Sequence, residues 1–236
     1  MISIVVPALD EAENLAARLP DLAVREPGAE VLVVDGGSRD GSRAVAARSP
    51  GVVWLESLRG RARQMNAGAR AARGDVVLFL HADTRLPDGA GAAIVQALAD
   101  PAIVGGRFDV RFDSARPVMA IVAWFMNRRS RLTGIATGDQ AIFVRRAVFE
   151  ALGGYADIPL MEDVELCARL KRRGRLACLP LRVTTSARKW EREGPLRTIA
   201  LMWALRFLYV AGVAPERLHR WYYGRASAAG VPGASA

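Results

Sequence analysis

Over its first hundred residues the chain alternates short apolar runs with longer segments whose apolar residues recur every three or four positions. Residues 2–7, 30–34, 52–56 and 76–80 are rich in Val, Ile and Leu, which is the length and composition of buried strands. Between them, 11–24, 61–72 and 87–99 carry apolar residues at helical spacing. Ser38 or Asp40 is placed to cap a further helix reaching Arg48, because a short oxygen side chain accepts the free N–H groups of a first turn. Strands that are apolar throughout, in strict alternation with helices, predict an α/β fold: a mostly parallel sheet with helices on both faces.

The pattern changes after residue 100. In 104–112, Arg107, Asp109 and Arg111 alternate with Phe108, Val110 and Phe112, so one face of this strand is expected to be wet. A helix is predicted over 118–132, a short buried strand over 140–144, helices over 147–153 and 162–173, a strand over 176–179, and helix thereafter. The stretch 199–214 is apolar but falls short of the ~20 residues of a membrane span, and Arg206 interrupts it. It packs on its own domain, meets a second subunit as a homodimer contact, or lies in a bilayer interface with Trp203, Tyr209, Trp221 and Tyr222 near the headgroups. Small residues and Gly dominate 225–236, which reads as a disordered tail. With no repeat and no linker, the expected organisation is a domain over 1–190, a helical appendage over 191–224, and that tail.

Composition adds two constraints. A chain of 236 residues that is 51% hydrophobic can bury a sizeable core. Its formal net charge of +9 raises the question of nucleic acid, but the excess is nearly all Arg scattered through helices, with no cationic run interleaved with aromatics. A surface that attracts phosphate-bearing ligands or anionic headgroups is the better inference. Cys167 and Cys178, the two cysteines, lack the spacing of a zinc site and read as reduced thiols of a cytosolic protein. Met1 leads straight into a strand without a cationic leader. The expected location is therefore cytoplasmic, with peripheral contact at the inner face of the membrane left open.

The candidate chemistry gathers where strands give way to loops. Pro7 ends the first strand and Glu11 opens the first helix, where capping alone would explain an acid. Asp35 ends the second strand ahead of Gly36 and Gly37, which permit close backbone approach. It is placed to accept from a base N–H or a ribose hydroxyl, while Asp40 reads as a cap or a structural anchor. Arg61, Arg63 and Asn66 form either a solvated helix face or a contact to base or phosphate. His81-Ala82-Asp83 closes the fourth strand, and alternate residues of an extended segment face the same way. One carboxylate, diphosphate oxygens and water make a common ligand set for Mg²⁺ or Mn²⁺, so Asp83 is the expected metal ligand. His81 is a second ligand, a ribose contact or a packed imidazole. The loop 134–140, with Gly138 and Asp139, either wraps a donor sugar or merely connects. Glu162 and Asp163 open a helix, where one carboxylate can act as general base. Arg188 is placed to offset a departing diphosphate, and Trp190 to form an apolar platform.

Pro7 to Glu11, the segment 34–42, Asp83, the segment 138–146 and Glu162-Asp163, in this order and spacing, resemble the family 2 glycosyltransferases. The resemblance spans roughly 1–224 and implies the GT-A fold, a Rossmann-type sheet. Gly36, the His-Ala-Asp triplet and the segment 186–224 look like a compact bacterial subgroup described as selenium- or radical-SAM-associated. The resemblance further implies inverting, metal-dependent transfer of a hexose-like sugar from a nucleoside diphosphate sugar. The acceptor is a hydroxyl or phosphate on a lipid, small metabolite or glycan. Glu11 and Asp35 match the nucleoside-binding acids, Asp83 the metal ligand, and Asp163 the catalytic base with Glu162 beside it. Two positions depart from the pattern: Gly36 replaces the second acid of an Asp-Asp pair, and His81 the first acid of Asp-x-Asp. The alternative is a non-catalytic nucleotide-binding or scaffold protein on the same fold, which would need Asp35 but not Asp163 together with Asp83.

Overall fold

Successive side chains on a strand point to opposite faces, and the first strand, β1 (Ile2–Ala8), feeds two cores in this way. Ile4, Val6 and Ala8 meet Leu15, Leu19 and Leu22 of helix α1 (Ala12–Arg25) on one face, while Val5 meets Ala62, Met65 and Ala69 of α3 (Arg61–Ala71) on the other. The computed structural model describes residues 1–228. Between these helices lie β2 (Glu30–Asp35), α2 (Ser42–Ala47) and β3 (Val52–Glu56). The chain continues through β4 (Val76–Phe79), α4 (Ala90–Ala97), β5 (Ile103–Phe112), α5 (Pro117–Thr133), a 3₁₀ turn (Gly138–Gln140), β6 (Ile142–Arg145), α6 (Arg146–Ala151) and α7 (Glu162–Leu170). It ends with β7 (Arg175–Thr185), α8 (Arg188–Glu193), α9 (Pro195–Val210) and α10 (Pro215–Ala228).

The strands form one seven-stranded sheet in the order β3-β2-β1-β4-β6-β5-β7. Strand β6 runs against both neighbours, and every other pairing is parallel. This is the α/β, GT-A-like sheet expected, with helices on both faces.

Three expectations need correction. The polar face of β5 is wet only at Arg111: Arg107 and Asp109 are buried under α5. They pair with each other, Arg131 joins Asp109 at 2.7 Å, and Arg107 also donates to the Asn127 carbonyl at 3.2 Å. Strand β7 runs well past Leu179, because the register with β5 shifts between Phe108 and Asp109 and lets Pro180 and Leu181 pass unpaired at the sheet edge. Helix α10 continues to Ala228, into the segment read as a disordered tail, whose remainder lies outside the described residues.

The helices after β7 are not set apart from the domain. Leu205 of α9 and Leu218 of α10 are buried together with Met161, at the mouth of α7. The apolar 199–214 stretch therefore packs on its own domain through one face. Its other face leaves Trp203, Phe207 and Val210 largely exposed. Among the described residues no helix is long and apolar enough to cross a membrane.

Candidate functional site

The sheet directions decide what can meet. β1, β2, β4, β5 and β7 end at one edge, and the reversed β6 brings the turn before it to that same edge. Strand order reverses between β1 and β4, and ligands of open α/β sheets bind outside such a switch point. A cleft of about 300 Å³ opens there. Of the residues expected in a site, Pro7, Glu11, Arg61, His81, Ala82, Asp83, Gly138, Asp139, Glu162, Asp163 and Trp190 line it. The acids at the ends of β1 and β4 and at the start of α7 thus open onto one space.

The loops that carry them are stitched together by side chains. Asp10 takes a positive φ of 55°, its N–H donates to Ser38 Oγ at 2.9 Å, and its carboxylate accepts the Arg39 N–H at 2.7 Å. Asp40 accepts the Ala12 N–H and the Ser42 N–H, each at 2.9 Å, so one carboxylate caps α1 and α2 together. Asp40 thus serves as both the cap and the anchor that were its alternative readings.

Asp35 lies beside Ala8 in the β1–β2 register but stands outside the cleft lining. Its carboxylate closes its own loop, accepting the Gly37 N–H at 3.1 Å, the Ser38 N–H at 3.0 Å and the Ser38 hydroxyl at 2.5 Å. Gly36 has a separate reason to be small. A Cβ there would lie 3.0 Å from Gln64 Cδ, and the buried Gln64 amide donates to Ala8 O at 2.7 Å and Val34 O at 2.9 Å. Gln64 clamps the ends of β1 and β2 and fills the space that a second acid would need. Sequence reasoning passed over it, since a Gln within an Arg-rich helix carries no signal of its own.

Four more expected residues lie outside the cleft lining. Asn66 spends both ends of its amide on Tyr155, donating to its carbonyl and accepting its N–H, each at 2.8 Å. Arg63 pairs with Asp157 at 2.8 Å on the surface. Neither lines the cleft, and neither does the exposed Arg188, whose charge nonetheless acts on Glu11. Gly37 lies in the Asp35 turn at φ 97°.

At the end of β4, His81 Nδ1 lies 3.3 Å from Asp139, and its buried Nε2 has no partner among the described residues. It presses on the turn carrying Asp139: a Cβ on Gly138 would come within 2.2 Å of that Nε2. The Gly138 N–H donates to Asp163 Oδ2 at 3.0 Å, and the Val164 N–H to Asp163 Oδ1 at 2.7 Å. Asp163 is thereby fixed while keeping lone pairs for the cleft. Glu162 is the more buried of the two and lies 3.8 Å from Arg61.

The electrostatics follow from this crowding. Burial, and then the charge of Asp163, raises the Glu162 carboxyl above the ordinary glutamate value. Burial raises Glu11 as well, against the hydrogen bond from Asn14, and the charge of Asp83 adds to it. Burial is the largest single influence on Arg61 and opposes its charge, but Glu162, Tyr223, Asp139 and Asp163 together outweigh it and hold the guanidinium firmly protonated.

The C-terminal helices complete the cleft. Thr198, Met202, Leu205 and Arg206 of α9 and Tyr222 and Tyr223 of α10 form its remaining wall. The sequence showed Arg206 only as an interruption in an apolar run. Trp190 packs edge-on against Phe112 with ring centroids 5.5 Å apart, so its platform is held rigidly at the end of β5. Among the described residues no three His, Cys, Asp or Glu side chains converge on one point to hold an ion. Asp83 still offers hard oxygen, with one oxygen 3.2 Å from the Thr84 hydroxyl, and suits Mg²⁺ or Mn²⁺ if the ligand and water supply the other donors.

Comparison with known proteins agrees with this geometry. The sequence model described as Glycosyl transferase family 2 matches residues 3–153, stopping short of Glu162 and the C-terminal helices. No curated protein sequence matches the chain. Among solved structures, the mannosyltransferase PcManGT from Pyrobaculum calidifontis, in complex with GDP-Man and Mn²⁺, is 24% identical with a TM-score of 0.63. The similarity covers 78% of this chain and 56% of that one. S. aureus TarS 1–349 is 15% identical with a TM-score of 0.65, covering 79% of this chain and 60% of its own. The same protein in complex with UDP-GlcNAc is 16% identical with a TM-score of 0.63, over 78% and 58%. This chain therefore spans under two thirds of the length of these relatives, and the likeness is one of fold.

Proposed function

This chain belongs to glycosyl transferase family 2, and we propose that its cleft transfers a sugar from a nucleoside diphosphate sugar to an acceptor oxygen with inversion. The observation that carries the reading is the shared opening of Asp83 and Asp163 onto one cleft, eighty residues apart in sequence. A binding scaffold would need only the first half of that arrangement. The subgroup suggested by Gly36 and the His-Ala-Asp triplet belongs to this proposal and rests on those residues alone.

Asp83 is the residue that would hold Mg²⁺ or Mn²⁺. When bound, the cation offsets charge on the diphosphate as it leaves. Glu11 and Asp35 accept from the nucleoside, which requires Asp35 to release part of its own loop. Arg188 adds positive charge on the donor side. Asp163, oriented by Gly138 and Val164, takes the acceptor proton as attack proceeds from the face opposite the leaving group. Trp190 and the α9–α10 wall exclude water from the reacting centre.

The outward face of α9 also supports peripheral contact with an anionic lipid surface. Trp203 and Phe207 are 63% and 73% exposed, and the chain carries a net charge of +9.

A panel of nucleoside diphosphate sugars with Mg²⁺ or Mn²⁺, read by thermal shift, tests the central claim, because a ligand of the folded state raises its melting point. At least one donor should stabilise the protein, and calorimetry should show weaker binding on chelation and in Asp83→Asn. No stabilisation by any donor would overturn the reading.

A further inference from the structure

One amide in the cleft has a fixed orientation and an unpartnered oxygen. Gln64 of α3 is 2% exposed, yet it lines the cleft with Pro7, Ala8 and Leu9. Its Nε2 donates to the Ala8 carbonyl at 2.7 Å and to the Val34 carbonyl at 2.9 Å, which engages both amide hydrogens. Turning the amide over would set Oε1 against two carbonyl oxygens, so these contacts decide which end is which. A Cβ on Gly36 would stand 3.0 Å from Cδ, 3.1 Å from Nε2 and 3.1 Å from Oε1. The amide therefore lies flat against Gly36, which holds its plane while the two carbonyls hold its direction.

That leaves Oε1. Among the described residues it accepts no hydrogen bond, and it is not sealed from water. The fully buried Gln140 shows the contrast, since its Nε2 donates to Ser130 Oγ at 3.0 Å and its Oε1 accepts the Thr137 N–H at 3.4 Å. A nearly buried acceptor without a donor is costly, and this one is the polar atom that Gln64 offers to the cleft. Asp35, the other acceptor at the ends of β1 and β2, is closed on its own turn outside the cleft lining.

The sheet sets this oxygen at the end of the cleft remote from the reacting centre. Gln64 bridges β1 and β2, whereas the Asp163 carboxylate is tied to the Gly138 turn ahead of β6. In the order β2-β1-β4-β6 they stand two and a half strand spacings apart, about 12 Å. Ribose and diphosphate separate a nucleobase from the anomeric carbon by a span of that order, so the base falls beside Gln64.

We infer that Gln64 selects the nucleobase of the donor, its Oε1 accepting a ring N–H such as uracil has at N3 and guanine at N1. The inference rests on the glycosyltransferase reading of the cleft and deepens it, leaving Glu11 and Asp35 to the ribose. In cytosine and adenine the corresponding ring nitrogen is an acceptor, so lone pair would face lone pair. Gln64 has no N–H left to offer them, and turning it would break both carbonyl contacts. The selection is thus against cytosine and adenine as much as for the other two bases.

The test titrates UDP, GDP, CDP and ADP into the full chain with Mn²⁺ by calorimetry. UDP or GDP should bind about ten-fold or more tighter than CDP and ADP, as in sites that reject a ligand lacking the hydrogen-bonding group. Whichever of the two leads identifies the base. Methylating its ring nitrogen, as in N3-methyl-UDP or N1-methyl-GDP, should remove the advantage. Gln64→Met keeps the bulk, donates nothing and accepts only weakly, and it should bring the four diphosphates to nearly equal affinity. A side chain that merely clamps the strands would instead weaken all four together and leave their ratios alone, which would overturn the inference. Undiminished affinity for the methylated ligand would overturn it as well, and this measurement on the unaltered chain decides alone if the melting point shows Gln64→Met to be unfolded. Equal binding of all four diphosphates to the unaltered chain sinks this inference and leaves the transferase reading standing. Binding of none of them sinks both.

Discussion

The backbone N–H of Gly138 donates to Oδ2 of Asp163 at 3.0 Å, while the face where a Cβ would stand lies against His81 Nε2 at 2.2 Å. One glycine therefore ties the carboxylate of α7 to the imidazole at the end of β4. Gly138→Ala should displace the turn, cost about 1–3 kcal/mol of stability as overpacking does, and lower transfer through a misplaced Asp163. Adding His81→Ala should restore most of the lost stability. Additive losses in the double variant, measured by denaturant unfolding, would show that the imidazole is not what confines Gly138.

Asp163→Asn should reduce transfer by about 10²–10⁴-fold, the usual contribution of a general base, with donor affinity nearly unchanged. The comparison belongs at about pH 5, below the second phosphate pKa of about 6, where hydroxyl and phosphate acceptors alike have a proton to lose. Full activity of the variant there would end the assignment.

Glu162 should reveal itself through stability. Its carboxyl is raised in the folded state by burial and then by Asp163, so folding favours the protonated form. The folded chain then binds more protons than the unfolded one, and stability falls as pH climbs from the ordinary value of 4.5 through the raised folded value. Glu162→Gln should flatten that part of the curve, and the melting point of the variant should gain on the unaltered protein as pH rises across the window. Parallel curves would mean that Glu162 ionises in the fold as it does in the unfolded chain.

The parallel half of the fold was legible because strands buried on both faces are written as continuous apolar runs, as in β1, β2 and β4. The later half was less so. Alternation in β5 pointed to solvent, yet Arg107 and Asp109 satisfy each other beneath α5, and no local pattern announces a partner that covers a polar face. Pro180 cut the predicted β7 short because an unpaired register shift is invisible without the neighbouring strand. In the site, strand-end acids were readable by position, and eleven of the expected residues do line the cleft. Asn66 and Arg63 were not separable from their helix face, since their partners Tyr155 and Asp157 lie about ninety residues on. Arg206 broke the apolar run visibly, but only the fold shows that it lines the same cleft as Asp163.

Gln64 offers a separate handle on the donor side. Gln64→Ala would strip the Ala8 and Val34 carbonyls of their buried donor, at about 1–3 kcal/mol. Gly36→Asp would force the same amide aside, since a Cβ there already meets Gln64 Cδ at 3.0 Å. If the clamp explains the missing second acid, Gly36→Asp should be better tolerated in the Gln64→Ala background than alone, as a positive coupling in a double-mutant cycle. Independent effects on melting point would leave Gly36 without this explanation.

The outer surface of the C-terminal helices gives the last prediction. Trp203, Phe207 and Val210 stand 63%, 73% and 83% exposed on α9, and Trp124 and Phe125 stand 58% and 57% exposed on the neighbouring α5. Leu205 and the apolar half of α9 are already spent on Met161 and Leu218, so these aromatics contribute nothing to the core. Trp203→Ser with Phe207→Ser should therefore leave the melting point unchanged and lower sedimentation with anionic vesicles by about ten-fold or more, from the apolar area no longer inserted. Neutral vesicles should bind the unaltered chain less well than anionic ones, and added salt should narrow the gap. If the double variant sediments as well as the unaltered chain, the aromatics do not touch lipid; if it becomes monomeric where the unaltered chain is a dimer, they join two copies instead.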